Sequence, residues 1–440
     1  MKKFFYKSSV LALMAGVFLS SCDPEIDTPS SSAGQADFTK YVAVGNSLTA
    51  GYSDGGLYRE GQLNSYPAIL AEQFKQVGGG EFTQPLFTEA QLNGSGYLRL
   101  TGFNESGMPI TQPVTDKLAV RGVGLDNKTP LYTEHLEAVQ NLGVPGIRMA
   151  DVTTAGYGFN NPMGFNPYYE RLLPNEVTAT GALLPYVNKV QATSPTFFTM
   201  WLGNNDVLGY ATSGGIAPIT EFDKFQTNLN AMVTALVGQN NAKGMIINIP
   251  DVTGIPFFTT KATANLMKMA ASAGTKLYIT ASNNQVREAT VNDYILLTST
   301  VGTPEQVPGA GTIPHGFSPL NPLKNNEVLD NVEVTAVQAA TAQFNQALAA
   351  AAQAKNLGLV DMNAFFKSIQ MKEGVPQLSI NAVAYSPAFI TGNLFSLDGV
   401  HLTPRGYAIV ANKIIRDINA KYSANIPTVD ETRYRAVLLP

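Results

Sequence analysis

Short apolar runs alternate with amphipathic stretches along the chain from residue 40 onward. The apolar runs have the length of strands and contain no charged residue, which is typical of strands buried on both faces of a parallel sheet. The pattern therefore predicts strands at Tyr41–Val44, Gln140–Val144, Thr196–Leu202, Gly244–Ile249 and Leu357–Val360.

Helices are predicted in the stretches between these strands. In the first of them Ile69, Leu70 and Phe74 recur at the spacing of one helix face. Strands that alternate with helices imply a parallel sheet covered on both sides, so we expect one α/β domain over residues 38–440. The predicted helices are Tyr66–Val77, Glu221–Val237, Ala262–Ala273, Val332–Ala354 and Pro404–Ile418.

Two long segments interrupt this alternation. Residues 78–139 and 282–330 are rich in Gly, Thr, Asn or Pro and have little helical periodicity. We expect both to be large insertions of loops and short strands. Long irregular segments of a compact domain usually serve as binding loops or lids.

The first 22 residues have the pattern of a targeting segment. Lys2, Lys3 and Lys7 precede the apolar run Val10–Leu19, which is too short to span a membrane as a helix. The run ends in Leu-Ser-Ser-Cys at Cys22, which resembles a bacterial lipobox. The resemblance implies a lipidated Cys22, a membrane anchor and a place in the bacterial cell envelope, at the outer membrane with surface exposure as one option. An ordinary signal peptide that contains a cysteine is the alternative.

The residues after Cys22 and the overall composition narrow the class of protein further. Residues 23–37 are polar and predict a flexible tether. The formal net charge of the 440 residues is −4 and no basic run occurs, which argues against a nucleic-acid partner. Cys22 is the sole cysteine, so neither disulfides nor thiol metal sites are expected.

The sequence contains three histidines, and two of them lie in segments without a recognisable catalytic or metal-binding motif. His135 is predicted on a polar helix face, and His315 in a loop of the second insertion. Neither has a Cys, His or carboxylate at the spacing of metal ligands. We therefore predict no metal site and no cofactor.

The third histidine, His401, follows Asp398 by three residues. In a tight turn the carboxylate at this spacing can reach the imidazole. Pro404 suits the first turn of a helix, so the Asp-to-His segment is predicted to be a loop before that helix. Taken alone, this pattern is a weak signal of function.

Three other polar groups lie just after predicted strands. Ser47 follows the first strand, Gly146 the second and Asn205 the third. The carboxyl ends of parallel strands lie along one edge of the sheet, where ligands bind. That edge is therefore expected to present a hydroxyl, a free backbone N–H and a carboxamide.

These blocks resemble, in order, those of the GDSL/SGNH hydrolase family. Gly-Asn-Ser-Leu contains Ser47, Asn-Leu-Gly-Val-Pro-Gly ends at Gly146, Gly-Asn-Asn-Asp contains Asn205, and Asp-Gly-Val-His joins Asp398 to His401. The resemblance implies a flavodoxin-like three-layer fold with about five parallel strands. It implies Ser47 as nucleophile, His401 as base and Asp398 as its partner. The oxyanion would be held by the N–H of Ser47, the N–H of Gly146 and the amide of Asn205.

One residue departs from the family pattern, and one motif competes with it. Asn46 stands where the family usually has Asp. We expect this difference to modify the activity of the site and not to abolish it. Gly-Tyr-Ser-Asp-Gly around Ser53 matches the nucleophile elbow of α/β-hydrolases. That motif needs a strand directly before it, and the strand here ends at Val44.

The expected function is hydrolysis of ester bonds through an acyl-enzyme. Lipid esters and acetylated glycans both remain open as substrates, because Gly254–Phe258 fits either an acyl site or the core. A non-catalytic binding lipoprotein on the same fold and an acyltransferase are the alternatives.

Overall fold

Five parallel strands form the central sheet of the protein. The computed structural model describes residues 30–105, 109–174, 181–369, 371–372 and 375–440; the predicted signal peptide, Cys22 and residues 23–29 of the predicted tether lie outside them. The spatial order of the strands is β5-β4-β3-β1-β2, and every neighbouring pair is parallel. The strands are β1 Tyr41–Gly45, β2 Asn141–Gly143, β3 Phe197–Trp201, β4 Lys243–Ile247 and β5 Gly358–Val360.

Each of the five strand predictions is confirmed, with ends that differ by at most two residues. The five predicted helices are present as well, and the last continues to Tyr422. The α-helices of the described residues are α1 Ser47–Ala50, α2 Arg59–Leu63, α3 Tyr66–Lys75, α4 Pro167–Glu170, α5 Tyr186–Gln191, α6 Asn205–Thr212, α7 Phe222–Val237, α8 Pro256–Thr259, α9 Thr263–Ser272, α10 Asn331–Ala354, α11 Met362–Ser368 and α12 Pro404–Tyr422.

Alternate residues of the sheet face two separate hydrophobic layers. In β1, Val42 and Val44 pack in the layer that contains α7 and α10, while Tyr41 and Ala43 pack in the layer that contains α3 and α12. All of these strand side chains are buried. The arrangement is the expected three-layer α/β fold, because a parallel sheet must cover both of its apolar faces.

The irregular segments form short antiparallel hairpins around this frame. A region between residues 371 and 385 that the pattern did not predict forms two further hairpins. The hairpins pair Tyr97–Phe103 with Pro109–Val114, Val120–Val123 with Pro130–Tyr132, Tyr278–Thr280 with Val286–Glu288, Tyr294–Ile295 with Val328–Leu329, Pro304–Val307 with Gly311–Pro314, Met371–Lys372 with Val375–Pro376, and Leu378–Ile380 with Val383–Tyr385.

The predicted helix around His135 is wrong. The segment is irregular, since the N–H of Thr133 donates to the carbonyl of Ala119 and the N–H of His135 to that of Arg171. These distant partners override the local helix propensity. No helix in the described part of the chain is both long and apolar enough to cross a bilayer.

Candidate active site

The turn that follows β1 presents Ser47. The strand ends at Gly45, where a Cβ would lie 2.7 Å from the carbonyl oxygen of Trp201 in the neighbouring strand, so a side chain cannot be placed there without a shift. Asn46 then caps α1, because its Oδ1 accepts the N–H of Leu48 at 3.1 Å. Ser47 begins this short helix, so its own N–H needs no partner within the helix.

Asn46 can form this cap without a carboxylate. Its Oδ1 makes the bond that either Asn or Asp provides at such a position. Its Nδ2 is buried and has no hydrogen-bond partner among the described residues.

The loop from Asp398 to His401 brings a histidine to Ser47. One carboxylate oxygen of Asp398, Oδ1, accepts the backbone N–H groups of Val400 at 2.9 Å and His401 at 2.8 Å, which closes the turn. The other oxygen, Oδ2, lies 2.7 Å from Nδ1 of His401. Nε2 of His401 lies 2.8 Å from Oγ of Ser47. The three side chains therefore form one continuous chain of hydrogen bonds.

The carboxyl group of Asp398 is strongly biased toward the ionised form. Burial would raise its pKa, but the charge and hydrogen bond of His401 and the N–H groups of the turn outweigh burial. Together they hold the pKa of Asp398 well below its usual range. An ionised Asp398 accepts a hydrogen bond from the N–H at Nδ1 of His401, which leaves the lone pair of Nε2 directed at Ser47.

The segment around Ser53 makes hydrogen bonds that hold this loop in place. Ser53 is completely buried, and its hydroxyl donates to the carbonyl of Leu402 at 2.9 Å. The N–H of Gly55 donates to Oδ2 of Asp398 at 2.9 Å. The elbow-like motif is therefore part of the scaffold of the site, and the competing prediction for Ser53 loses its support.

Asp54 and Ser396 complete this scaffold, and sequence reasoning missed both. Oδ1 of Asp54 accepts the N–H of Leu397 at 3.1 Å, and the N–H of Asp54 donates to the hydroxyl of Ser396 at 2.9 Å. That hydroxyl donates in turn to Oδ1 of Asp398 at 3.1 Å. The available signal was the Ser-Leu-Asp sequence at residues 396–398, in which the hydroxyl of Ser396 is close enough in the chain to reach the carboxylate of Asp398.

Arg435, five residues before the last residue of the sequence, contacts Asp54 and its neighbours. The side chain of Arg435 is mostly buried and lies 2.6 Å from Glu60, 2.7 Å from the hydroxyl of Tyr58 and 3.4 Å from Asp54. Burial raises the pKa of Asp54, while the N–H of Leu397 and the charge of Arg435 oppose that rise. The positive charge of Arg435 therefore offsets part of the cost of burying the carboxylate of Asp54, which holds the loop of His401 in place.

Tyr52 forms one wall of the imidazole site. Its ring centroid lies 4.6 Å from that of His401. The hydroxyl of Tyr407 donates to the carbonyl of Tyr52 at 2.6 Å, which fixes the backbone at this point. The contact restricts the rotation of the imidazole and shields one of its faces from water.

The loops after β2 and β3 hold the two other predicted oxyanion donors. Gly146 is exposed and has a φ of 84°, a left-handed conformation that glycine adopts without strain. Asn205 begins α6, and its Nδ2 donates to the carbonyl of Ile147 at 3.0 Å. Since an amide nitrogen carries two protons, one N–H of Asn205 remains for a ligand. The hydrogen bond of Asn205 therefore joins the start of α6 to the loop that contains Gly146.

Asp206 and Asn228 fix the loop that contains Gly146. The carboxylate of Asp206 accepts the N–H groups of Met149 at 2.6 Å and Ala150 at 3.1 Å. The amide of Asn228 donates to the carbonyls of the same two residues at 2.8 and 3.0 Å. Burial raises the pKa of Asp206 to about 6. This carboxylate was not among the predicted site residues, although it follows Asn205 directly.

His315 lies in a structural cluster of the second insertion. Its Nε2 lies 2.7 Å from Glu327 and its Nδ1 3.2 Å from Glu305. Burial opposes protonation of this imidazole, but the hydrogen bonds to Glu327 and Asn321 raise its pKa above the usual value. Within the described ranges, no group of three His, Cys, Asp or Glu residues is arranged to hold a metal ion.

A comparison with protein families identifies the chain. The family model described as GDSL-like lipase/acylhydrolase matches residues 41–414, from β1 into α12. The chain belongs to this family. Membership makes it a hydrolase that acts on ester bonds.

Solved structures that resemble this GDSL-family hydrolase do so at low identity, and no curated protein matches it. A mutant of an acetyl-xylooligosaccharide esterase from Geobacillus stearmophilus is 12% identical with a TM-score of 0.35, over 88% of this chain and 96% of that one. An extracellular lipase from Streptomyces rimosus is 13% identical with a TM-score of 0.33, over 87% of this chain and 99% of that one. The fold is therefore assigned from the sheet topology, and the family from the sequence match.

The raised pKa of Asp206 predicts a pH-dependent contribution to the stability of this GDSL-family hydrolase. The folded pKa of about 6 exceeds the ordinary value of 3.8, so the folded state binds the proton more tightly. The contribution is complete below about pH 4 and is lost as the pH rises through 6. Relative to Asp206→Asn, which cannot titrate, the wild-type free energy of unfolding should fall over this window by at most about 3 kcal/mol.

The measurement is urea unfolding of both proteins between pH 3.5 and 7.5. Asp223→Asn, which removes an exposed carboxylate from the first turn of α7, is the control for loss of a surface charge. A wild-type stability that rises relative to Asp206→Asn over this window would contradict the raised pKa.

Proposed function

We propose that the protein is a serine ester hydrolase in which Ser47 is the nucleophile, His401 is the general base and Asp398 orients the base. One observation carries the proposal: Nε2 of His401 lies 2.8 Å from Oγ of Ser47 while Nδ1 lies 2.7 Å from Asp398. These are hydrogen-bond distances at both ends of the imidazole. A hydroxyl next to an oriented base is the arrangement that activates serine for attack on a carbonyl.

The first half of the reaction would acylate Ser47. Nε2 of His401 accepts the hydroxyl proton as Oγ attacks the ester carbonyl, and the imidazolium is stabilised by the ionised Asp398. The negative charge that develops on the carbonyl oxygen would be held by the N–H of Ser47, the N–H of Gly146 and the free N–H of Asn205. His401 then gives its proton to the leaving alcohol as the bond between the carbonyl carbon and the alcohol oxygen breaks.

The second half would return the free enzyme. His401 takes a proton from water, whose oxygen attacks the acyl carbon, and the proton is returned to Oγ of Ser47 as the acid leaves. Every proton in both halves passes through Nε2. The side chains and backbone N–H groups already named are sufficient for these steps, which use no cofactor.

Substitution Ser47→Ala should abolish ester hydrolysis because it removes the attacking oxygen. Hydrolysis of p-nitrophenyl esters by the wild type and the variant measures the loss, and labelling with a fluorophosphonate measures the reactivity of Ser47 itself. Ser272→Ala is the matched control, since it removes an exposed hydroxyl at the end of α9; the variant should keep both the label and the activity.

Two other results of this assay would point away from hydrolysis. A folded wild type that neither takes the label nor turns over any ester would favour a binding lipoprotein. Transfer of the acyl group to added alcohols or sugars in preference to water would favour an acyltransferase.

Substitution Asn205→Ala should slow turnover by roughly 10²–10³, or about 3 kcal/mol, because it removes one oxyanion donor. The loss should fall on kcat more than on KM, since the donor acts on charge that develops in the transition state. Asn188→Ala, an exposed asparagine on α5, is the control and should match the wild type. Equal kcat values for Asn205→Ala and the wild type would remove Asn205 from the proposed oxyanion site.

We further propose that Cys22 is lipidated and anchors the mature protein in the bacterial cell envelope, at the outer membrane. The support is the Leu-Ser-Ser-Cys sequence after a short apolar run and a basic start. In cells supplied with labelled palmitate, the wild type should take up the label and sediment with membranes. The variant Cys22→Ser should do neither; membrane attachment that persists in it would contradict the proposal.

A further inference from the structure

Arg435 contacts both of the segments that carry the proposed catalytic residues. The first is the helix α12, which begins shortly after His401. The backbone N–H of Arg405, in the first turn of α12, donates to the carbonyl of Arg435 at 2.9 Å. Nε of Arg405 donates to the carbonyl of Tyr434 at 3.0 Å. The backbone at Arg435 is therefore fixed to the helix that follows the loop of His401.

The side chain of Arg435 contacts the second segment, which follows α1 and Ser47. Its Nε donates to one carboxylate oxygen of Glu60 at 2.6 Å, and its Nη2 donates to the other at 3.0 Å. The same Nη2 donates to the hydroxyl of Tyr58 at 2.7 Å and to Oδ2 of Asp54 at 3.4 Å. A guanidinium can hold several acceptors at once because its donors lie in one fixed plane. Arg435 thus bridges the segment after Ser47 to the helix after His401.

Asp54 connects this bridge to the loop of Asp398. The residue is 3% exposed, and its carboxylate accepts the N–H of Leu397 at 3.1 Å. Its backbone N–H donates to the hydroxyl of Ser396, which donates in turn to Asp398. Asp54 therefore holds the two residues that directly precede Asp398.

Arg435 supplies the positive charge beside the buried carboxylate of Asp54. The titratable groups around Asp54 are Tyr58, Tyr97, Tyr407, Asp398 and Arg435. Burial raises the pKa of each of the three tyrosines above its usual value, so they are neutral in the physiological range. The ionised Asp398 repels a second negative charge. Among these groups of the described residues, Arg435 alone carries a positive charge.

We propose that Arg435 is a positioning residue of the candidate site, which acts through Asp54 to keep His401 at hydrogen-bond distance from Ser47. The inference rests on the proposed function, because it takes Ser47 and His401 as the reacting groups. Loss of the guanidinium leaves the carboxylate of Asp54 buried without its counter-charge, which is more costly than loss of both partners. The loop that Asp54 holds then shifts. A displacement of about 1 Å between reacting groups can slow a reaction by about 10²-fold.

The first experiment compares kcat and KM for p-nitrophenyl acetate between the purified wild type and Arg435→Met. Methionine keeps an unbranched apolar side chain but removes the charge. We expect kcat to fall by about tenfold or more and KM to stay unchanged, since a misplaced base slows the attack without altering binding. Arg435→Lys keeps the charge and should recover most of the loss. Arg433→Met removes an exposed charge two residues earlier and should match the wild type.

A double variant separates action through Asp54 from a general effect on the fold. In Asp54→Asn the side chain keeps an oxygen that can accept the N–H of Leu397, but it has no charge to compensate. The double variant Asp54→Asn/Arg435→Met should therefore have a higher kcat than Arg435→Met alone. If Arg435 stabilised the fold independently of Asp54, the two losses would add.

Arg435→Met should also move the acid side of the kcat profile to higher pH. Without the guanidinium, burial and the charge of Asp398 raise the pKa of Asp54 further, so its protonated form persists to higher pH. A neutral carboxyl group is a weaker acceptor for the N–H of Leu397 than a carboxylate. The double variant has no carboxyl group at this position, so its profile should lack the shift.

Arg435→Gln replaces Arg435→Met if the latter fails to fold, because its amide can still donate to Tyr58. If neither single variant folds, recovery of folded and active protein in Asp54→Asn/Arg435→Met would support the inference. A double variant that is equally unfolded would overturn it.

Three kinetic results would also overturn the inference: an unchanged kcat in Arg435→Met, an equal loss with and without Asp54→Asn, or a loss that falls on KM alone. In each case, hydrolysis that is lost in Ser47→Ala would leave the proposed function intact. Hydrolysis that persists in Ser47→Ala, or a folded wild type without turnover, would mean that the proposed function itself has failed, and this inference with it.

Discussion

The carboxylate of Asp398 accepts hydrogen bonds from five groups: the N–H of Val400, the N–H of His401, the hydroxyl of Ser396, Nδ1 of His401 and the N–H of Gly55. This set determines the geometry of the candidate site. It closes the turn that carries His401, orients the imidazole and attaches the turn to the segment after β1. Burial by itself would favour the neutral carboxyl group. The charge of His401 and the hydrogen-bond donors outweigh burial, so the carboxylate stays ionised.

The same set joins parts of the chain that are far apart in sequence. Gly55 and Asp398 are separated by 343 residues, and Ser47 and His401 by 354. The sheet makes these contacts possible because β1 lies inside it, between β3 and β2. A parallel arrangement places the loops after neighbouring strands at one edge, so Ser47, Gly146 and Asn205 share that edge whatever lies between them in the chain.

The two sides of this edge differ in the side chains that line them. Gly146 and Asn205 lie in a network of amides and carboxylates in which Asp206 and Asn228 bind the loop after β2. The opposite side consists of apolar side chains from segments after β4 and β5 and from the loop before Asp398. Fixed polar donors of this kind suit charge that develops on one oxygen of a ligand.

The sequence by itself determined the strands, the main helices and the residues proposed for chemistry. Uninterrupted apolar runs mark strands buried on both faces, and the spacing of Asp398 and His401 is short enough for one turn to join them. Such features depend on neighbouring residues, so they can be recognised in the chain. Family resemblance supplied the roles that were expected of Ser47, Gly146 and Asn205.

Only the tertiary structure decided the functions of residues whose partners are distant. Ser53 and Asp54 match a nucleophile motif, yet they bond to Leu402 and Leu397 and serve as a scaffold. The residues around His135 were expected to form a helix, but the backbone N–H of His135 bonds to Arg171. The contacts of Arg435 with Asp54, Tyr58 and Glu60 have no local signature at all. The reason is physical: these contacts depend on which surfaces pack together, and packing brings together residues that no short stretch of sequence contains.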